Sequence, residues 1–132
     1  MTAITLNRRM ALVFGLAVPL LQLGRTLLWF QWPLLLELPI GIDAYLMGAF
    51  MLWGVALASR KAPAGTLVLS AGWGFSSGIL YRSFFEQLAD PARHGGHEIM
   101  VLAIKGALLA FAATGLVLAI RTLPLSSEAT RP

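Results

Sequence analysis

The sequence predicts an all-α membrane protein, a four-span transmembrane helical bundle that forms a single integral membrane domain over residues 1–132. Three observations carry this expectation. Of the 132 residues, 58% are hydrophobic and only 12% are charged, whereas a soluble domain carries about twice that charged fraction. Four apolar stretches recur along the chain, each close to the roughly 20 residues needed to cross about 30 Å of hydrocarbon. The segments between them alternate between rich and poor in Lys and Arg, the pattern left by cytoplasmic retention of positive charge. Low charge with high apolarity also excludes a disordered chain. With 0 cysteines, disulfides, thiolate metal sites and cysteine nucleophiles are excluded. The net charge of +4 would suggest nucleic acid for a soluble domain. Here the topology accounts for it, and no nucleic-acid partner is expected.

The first span is read over Met10 to Phe30, with Pro19 as a kink. Arg8 and Arg9 ahead of it resemble the start of a secretory or twin-arginine signal. The apolar run is longer than a signal core and no A-x-A cleavage site follows, so a retained span is expected. The second span covers Ile42 to Ser59, and Leu34 to Leu38 ahead of Pro39 reads as a short helix lying on the membrane surface. The third runs from Thr66 to Leu88 and the fourth from Glu98 to Ile120, with a flexible tail over 122–132. Pro33, Pro39 and Gly41, then Pro63 and Gly65, then Pro91, Gly95 and Gly96 punctuate the intervals as helix boundaries do.

Arg8, Arg9, Arg60, Lys61, Arg121 and Arg131 fall on one side of this layout, and Arg93 alone among loop cations falls on the other. Both termini are therefore expected in the cytoplasm, in the cytoplasmic (inner) membrane. The halves also resemble each other. Ala49 to Arg60 (AFMLWGVALASR) and Ala110 to Arg121 (AFAATGLVLAIR) match at Gly54 and Gly115 and at the final arginines, and Arg25 corresponds to Arg82. Two repeated parallel helical hairpins would follow, although Ala, Leu and Gly recur by composition in any membrane helix.

Ionisable groups inside spans are costly and mark candidate sites. Counted from the outer ends of their spans, Arg25, Arg82 and Lys105 lie at a common depth of roughly 8 to 10 Å at 1.5 Å per residue. A ligand site formed by Arg25, Arg82 and Lys105, flanked by Asp43, Glu86 and Tyr81, is expected to take an anionic headgroup, a quinone carbonyl or a small acid. The competing reading pairs Arg82 with Glu86 and Arg25 with Asp43 or Glu37, and lets Lys105 snorkel to the surface. Ser70, Gly74, Gly78, Arg82 and Glu86 recur at every fourth position, making that row the expected packing seam of the third span. Gly106, Ala110 and Ala113 are the expected seam of the fourth, and Gly15, Gln22, Arg25 and Trp29 a looser face of the first.

The remaining candidates are weaker. His94 and His97, with Asp90 and Glu98, are weak candidates for a metal, because a glycine-containing loop lacks the fixed spacing of a helical metal motif. Trp29, Phe30, Trp32, Tyr45, Tyr81, Phe84 and Phe85 read as an interfacial aromatic belt, with Trp53 and Trp73 deeper. No acidic residue lies near a span centre, which disfavours a cation exporter. The expected role is a binding, accessory or assembly subunit in contact with the lipid bilayer, alone, as a homo-oligomer or in a larger membrane complex. The alternatives are a membrane-embedded redox or enzyme subunit acting on quinone or lipid, and a small anion or solute transporter working as an oligomer. Nothing in the spacing demands catalysis, and quinone or lipid is the only cofactor-like ligand expected. The topology is tested by reporter fusions: cytoplasmic activity is expected for fusions after Lys61 and at the C-terminus, external activity for one in the Pro91 to His97 loop, and opposite sides for the two termini would overturn the four-span layout.

Overall fold

A computed structural model describes residues 2–28, 34–90 and 98–123, with side chains described over 2–24, 42–90 and 99–123. These residues form four helices: α1 (Ala3–Leu28), α2 (Leu34–Ser59), α3 (Ala64–Ala89) and α4 (Glu98–Thr122). No strand occurs among the described residues. Three helices contain stretches long and apolar enough to cross a membrane: Ala3–Gly24, Ile42–Ser59 and Ile99–Thr122. The third helix matches the others in length but is not among them, because Ser70, Ser76, Ser77, Ser83, Gln87 and the charged pair Arg82 and Glu86 dilute its apolar character.

Two boundaries differ from the sequence reading. The first helix begins at Ala3, so Arg8 and Arg9 are helical rather than flanking. The second begins at Leu34 and continues through Pro39 and Gly41 as one element with the span, so there is no separate surface helix. A proline this close to a helix start removes only one backbone bond and sits beside amides that have no intrahelical partner anyway. Residues 29–33, 91–97 and 124–132 lie outside the described residues, as do Trp29, Phe30, Trp32, the histidines and the expected tail.

Each helix packs on its sequence neighbours, and α1 also meets α4 along a shorter stretch, closing a square of antiparallel neighbours. Residue numbers rise along one partner as they fall along the next: Gly15 lies against Met51 and Leu52, Gly48 against Pro19, Gly54 against Leu69, Gly72 against Phe50, Gly106 against Phe84 and Gly115 against Trp73. One end of the bundle therefore holds the start of α1, the α2–α3 turn and the end of α4. The other, here the far end, holds the end of α1, the start of α2, the end of α3 and the start of α4.

The α2–α3 turn shows how locally the chain reverses. Ala62 N–H donates to the Leu57 carbonyl at 3.1 Å and Lys61 N–H to the Ala58 carbonyl at 3.2 Å. These are the two bonds of a Schellman ending, with Lys61 in the left-handed region at φ 54°. Pro63 then opens α3.

The inward faces share one spacing. They read Asn7, Ala11, Phe14 and Val18 on α1; Met47, Met51, Gly54 and Ala58 on α2; Leu69, Trp73, Ser76, Leu80 and Gln87 on α3; and Leu108, Ala112, Gly115 and Ala119 on α4. Steps of four and three alternate, as in knobs-into-holes bundles. This corrects the expected seams. A row taken every fourth residue turns by about 40° per step, so Ser70 and Glu86 end roughly 160° apart around the axis. A heptad row drifts by only about 20° per seven residues. Gly74 and Gly78 accordingly face outward with nothing within 4 Å of an added Cβ, and Ala110 and Ala113 are also exposed.

At the centre Trp73 is fully buried. Its ring packs edge-on to Phe14 at 5.2 Å and lies 6.1 Å from Phe111. A Cβ on Gly115 would overlap the indole, so Trp73 and Gly115 are a matched large–small pair. The indole Nε1–H donates to Asn7 Oδ1 at 2.7 Å, tying α3 to the diagonal helix α1. Pro19 is accommodated in the same way: it frees the Gly15 carbonyl within α1, and the facing residue is Gly48, whose added Cβ would meet both the ring and that carbonyl oxygen, the latter at 2.8 Å.

Gly54 and Gly115, equivalent in the repeat reading, pack differently. Gly54 faces Leu69 across the hairpin boundary, while Gly115 faces Trp73 within its own hairpin. Thermal unfolding in detergent distinguishes the true seam from the expected one. Gly115→Ala should cost about 1–3 kcal/mol through overpacking, whereas Gly78→Ala should gain about 0.5–1 kcal/mol as an unobstructed helix-interior substitution. Asn7→Leu should cost about 1–3 kcal/mol by leaving the indole N–H buried without an acceptor.

Candidate functional site

Toward the far end the four helices stop filling the space between them. A cavity of about 1010 Å³ opens there, with walls from all four helices. Val18, Met47, Leu80 and Leu108 form its apolar floor, and Leu20, Leu21, Met100 and Ile104 extend its apolar wall to the outside of the bundle. Its polar lining consists of Gln22 from α1, Asp43 from α2, Arg82, Ser83, Glu86 and Gln87 from α3, and Lys105 from α4. Counted from the helix ends at 1.5 Å per residue, Gln22, Asp43, Arg82, Ser83 and Lys105 lie roughly 9 to 14 Å below the far end. Glu86 and Gln87 lie within about 5 Å of it, and the apolar floor extends deeper than the polar belt.

Of the residues singled out from sequence, Asp43, Arg82, Glu86 and Lys105 line this one cavity. Tyr81 does not: it is 59% exposed, and its ring packs on Phe85 at 4.7 Å. The side chain of Arg25 lies outside the described residues, as do His94 and His97. Among the described residues no group of three His, Asp or Glu side chains is placed to hold a metal. The aromatic expectation divides. Tyr45 and Phe85 are exposed, Phe84 packs on Gly106, Trp53 faces outward against Phe50 at 5.8 Å, and Trp73 is core rather than cavity wall.

Two of the charged lining groups, Arg82 and Glu86, form an ion pair. Arg82 Nε donates to Glu86 Oε1 at 2.7 Å across one helical turn, with the guanidinium side chain 81% exposed. Asp43 lies within electrostatic reach of Arg82. Neither Lys105, Gln22 nor Glu86 is free of partners. With two cations and two carboxylates among them, the described lining groups sum to zero net charge.

Gln87, missed in the sequence reading, is the distinctive polar residue of the wall. It is 4% exposed, and neither its Nε2 nor its Oε1 has a hydrogen-bond partner. Its position follows from the heptad row: counting from Trp73 in alternating steps of three and four gives Ser76, Leu80, Ser83 and Gln87. Ser76 is likewise buried with its hydroxyl unpartnered, whereas Ser70 donates back to the Thr66 carbonyl at 2.8 Å. A carboxamide taken from water without hydrogen bonds destabilises the fold, so a residue of this kind in a cavity wall marks a place where stability has been given up.

Searches against protein-family models, curated proteins and solved structures return no match to the chain. The site is therefore read from its geometry alone. Gln87→Met, which removes both unpartnered atoms at similar volume, should raise the unfolding free energy of the empty protein by about 1–3 kcal/mol. A lower unfolding midpoint for Gln87→Met would show that the amide is satisfied in solution.

Proposed function

We propose that the chain is a four-span protein of the cytoplasmic membrane, with both termini in the cytoplasm, and that it acts as a binding or accessory subunit holding a polar-headed amphiphile in the far-end cavity. The observation that carries this reading is the cavity itself, which is polar near the far end, apolar at its floor, and continuous on one side with the exposed apolar side chains Leu20, Leu21 and Met100. In a bilayer that opening faces acyl chains, and the polar belt lies in the outer part of the hydrocarbon, roughly 5 to 10 Å below the headgroups. An amphiphile enters sideways from the membrane, with its tail on the floor and its head at the belt.

The four-span arrangement is supported by connectivity. Helices α2 and α4 are both apolar enough to span and both run from the far end to the end that holds the α2–α3 turn. A chain leaving α2 must therefore recross the membrane before it can begin α4, and α3 is the element between them, packed on both. Inside such a span Arg82 is tolerable because it pairs with Glu86 and its long side chain can reach toward the interface. The orientation is supported by Arg8, Arg9, Arg60, Lys61 and Arg121, which gather at the end opposite the cavity.

Lipid extraction and mass spectrometry of protein purified in a mild detergent test the reading. One class of amphiphile should be enriched over its share of the membrane and should be lost from Leu108→Trp, in which the new ring occupies the cavity floor. An extract with the bulk lipid composition, identical in both proteins, would remove the proposal.

A further inference from the structure

We propose that the amphiphile is a singly charged acid, and that Nη1 and Nη2 of Arg82 hold its oxyanion head as a fork. This inference names the head of the cavity's ligand, and so rests on the cavity being a binding site. It starts from the donors of the guanidinium. Arginine carries five N–H donors and keeps its charge. The one on Nε donates to Glu86 Oε1 at 2.7 Å, and those on Nη1 and Nη2 make no hydrogen bond among the described residues. The side chain is 81% exposed and belongs to the cavity lining, so these donors are open to an incoming head. In the outer hydrocarbon a guanidinium short of acceptors is costly. Carboxylates and phosphates match its geometry, each taking two parallel N–H···O bonds.

The bond to Glu86 also sets where the fork sits. Side chains of an α-helix lean toward its N-terminus, which for α3 lies at the end of the bundle opposite the cavity. Glu86 is one turn closer to the far end, so the bond turns Arg82 the other way and leaves the guanidinium roughly 5 to 10 Å below that end. Val18 and Met47 lie deeper in the same cavity, so an acyl tail against them brings its head to the level of the fork. Lys105, from the neighbouring helix α4, adds positive charge to the lining whatever its own partner. The carboxylates limit the charge that the head can bring. Asp43 and Glu86 balance Arg82 and Lys105, so a monoanion leaves the site one charge from neutral. A dianion would leave it two, with Asp43 within electrostatic reach of the same guanidinium. The shared chemistry is one negative charge over two oxygens on an apolar tail, which a fatty-acid carboxylate and a phosphodiester lipid both offer.

The test is native mass spectrometry of the purified full chain in detergent, titrated separately with oleate, methyl oleate and dioleoylphosphatidylglycerol. Four proteins are compared: wild type, Arg82→Gln, Arg82→Lys and the cavity-filling Leu108→Trp. Oleate and methyl oleate share a tail and differ in the charge of the head, and the phosphatidylglycerol separates a phosphodiester head from a carboxylate. Wild type should bind one of the two acids at least about tenfold more tightly than methyl oleate. Arg82→Gln should weaken that acid about thirtyfold, the loss expected for hydrogen bonds to a charged group, and leave methyl oleate within about twofold. Arg82→Lys keeps the charge without the fork and should fall between wild type and Arg82→Gln. Leu108→Trp should lose the acid. Unfolding midpoints of the two Arg82 variants should stay close to wild type, because an exposed ion pair contributes little to the fold. Equal affinity of wild type for methyl oleate and for both acids overturns the inference while leaving the cavity as a site. So does acid binding that is unchanged in Arg82→Gln, or that matches wild type in Arg82→Lys. If no probe binds wild type above the level seen with Leu108→Trp, both the inference and the binding reading fail.

Discussion

An indole ring can occupy the axis of a four-helix bundle only if the facing helix gives up its side chain at that level. Gly115 does so for Trp73. The ring in turn brings Phe14 and Phe111 into contact with one another, at 6.1 Å, and its N–H reaches Asn7 on the diagonal helix. In lipid, helix association draws little from the hydrophobic effect and depends on close van der Waals fit and satisfied polar groups. The Trp73 cluster supplies both. It fixes the rotation of α1, α3 and α4 about their axes, and the remaining glycine contacts at 15, 48, 54, 65 and 72 bring α2 in close. The inward rows and the outward faces follow from that rotation.

The same constraint explains why the cavity lies where it does. Packing is tight from the Trp73 layer toward the termini, where small residues such as Ala11 and Ala119 are fully buried. Beyond Val18 and Leu80 the inward rows turn polar or are no longer matched by a facing side chain, and the helices enclose space instead of filling it. The half that holds the helices together is thus separate from the half that encloses the cavity. The unpartnered amide of Gln87 belongs to the open half, where its burial costs the fold.

The pairing of Arg82 with Glu86 is one of the two arrangements that the sequence suggests. Depth along a helix axis puts Arg82 and Lys105 at one level, and both do line the cavity. Charge balance depends on the side chains beside them, and Glu86 and Asp43 offset the cations. Arg82 is largely exposed on the bundle's flank and is paired within its own helix.

The sequence by itself determined the four helices, their approximate limits and the apolar character that makes three of them long and apolar enough to cross a membrane, because hydropathy is a property of local composition. It also put Arg82 and Lys105 at one depth, since axial position follows from residue count alone. What it left open was rotation about each axis. A fourfold row of small residues, Ser70 to Gly78, and a heptad row, Leu69 to Gln87, are both legible in α3, and only the neighbouring helices select between them. The tertiary structure selected the second because Trp73 needs Gly115 opposite it, and a ring of that size fits at one rotation. Gln87 became a cavity residue and Gly74 a surface residue through that single choice of angle, which no property of α3 alone could fix.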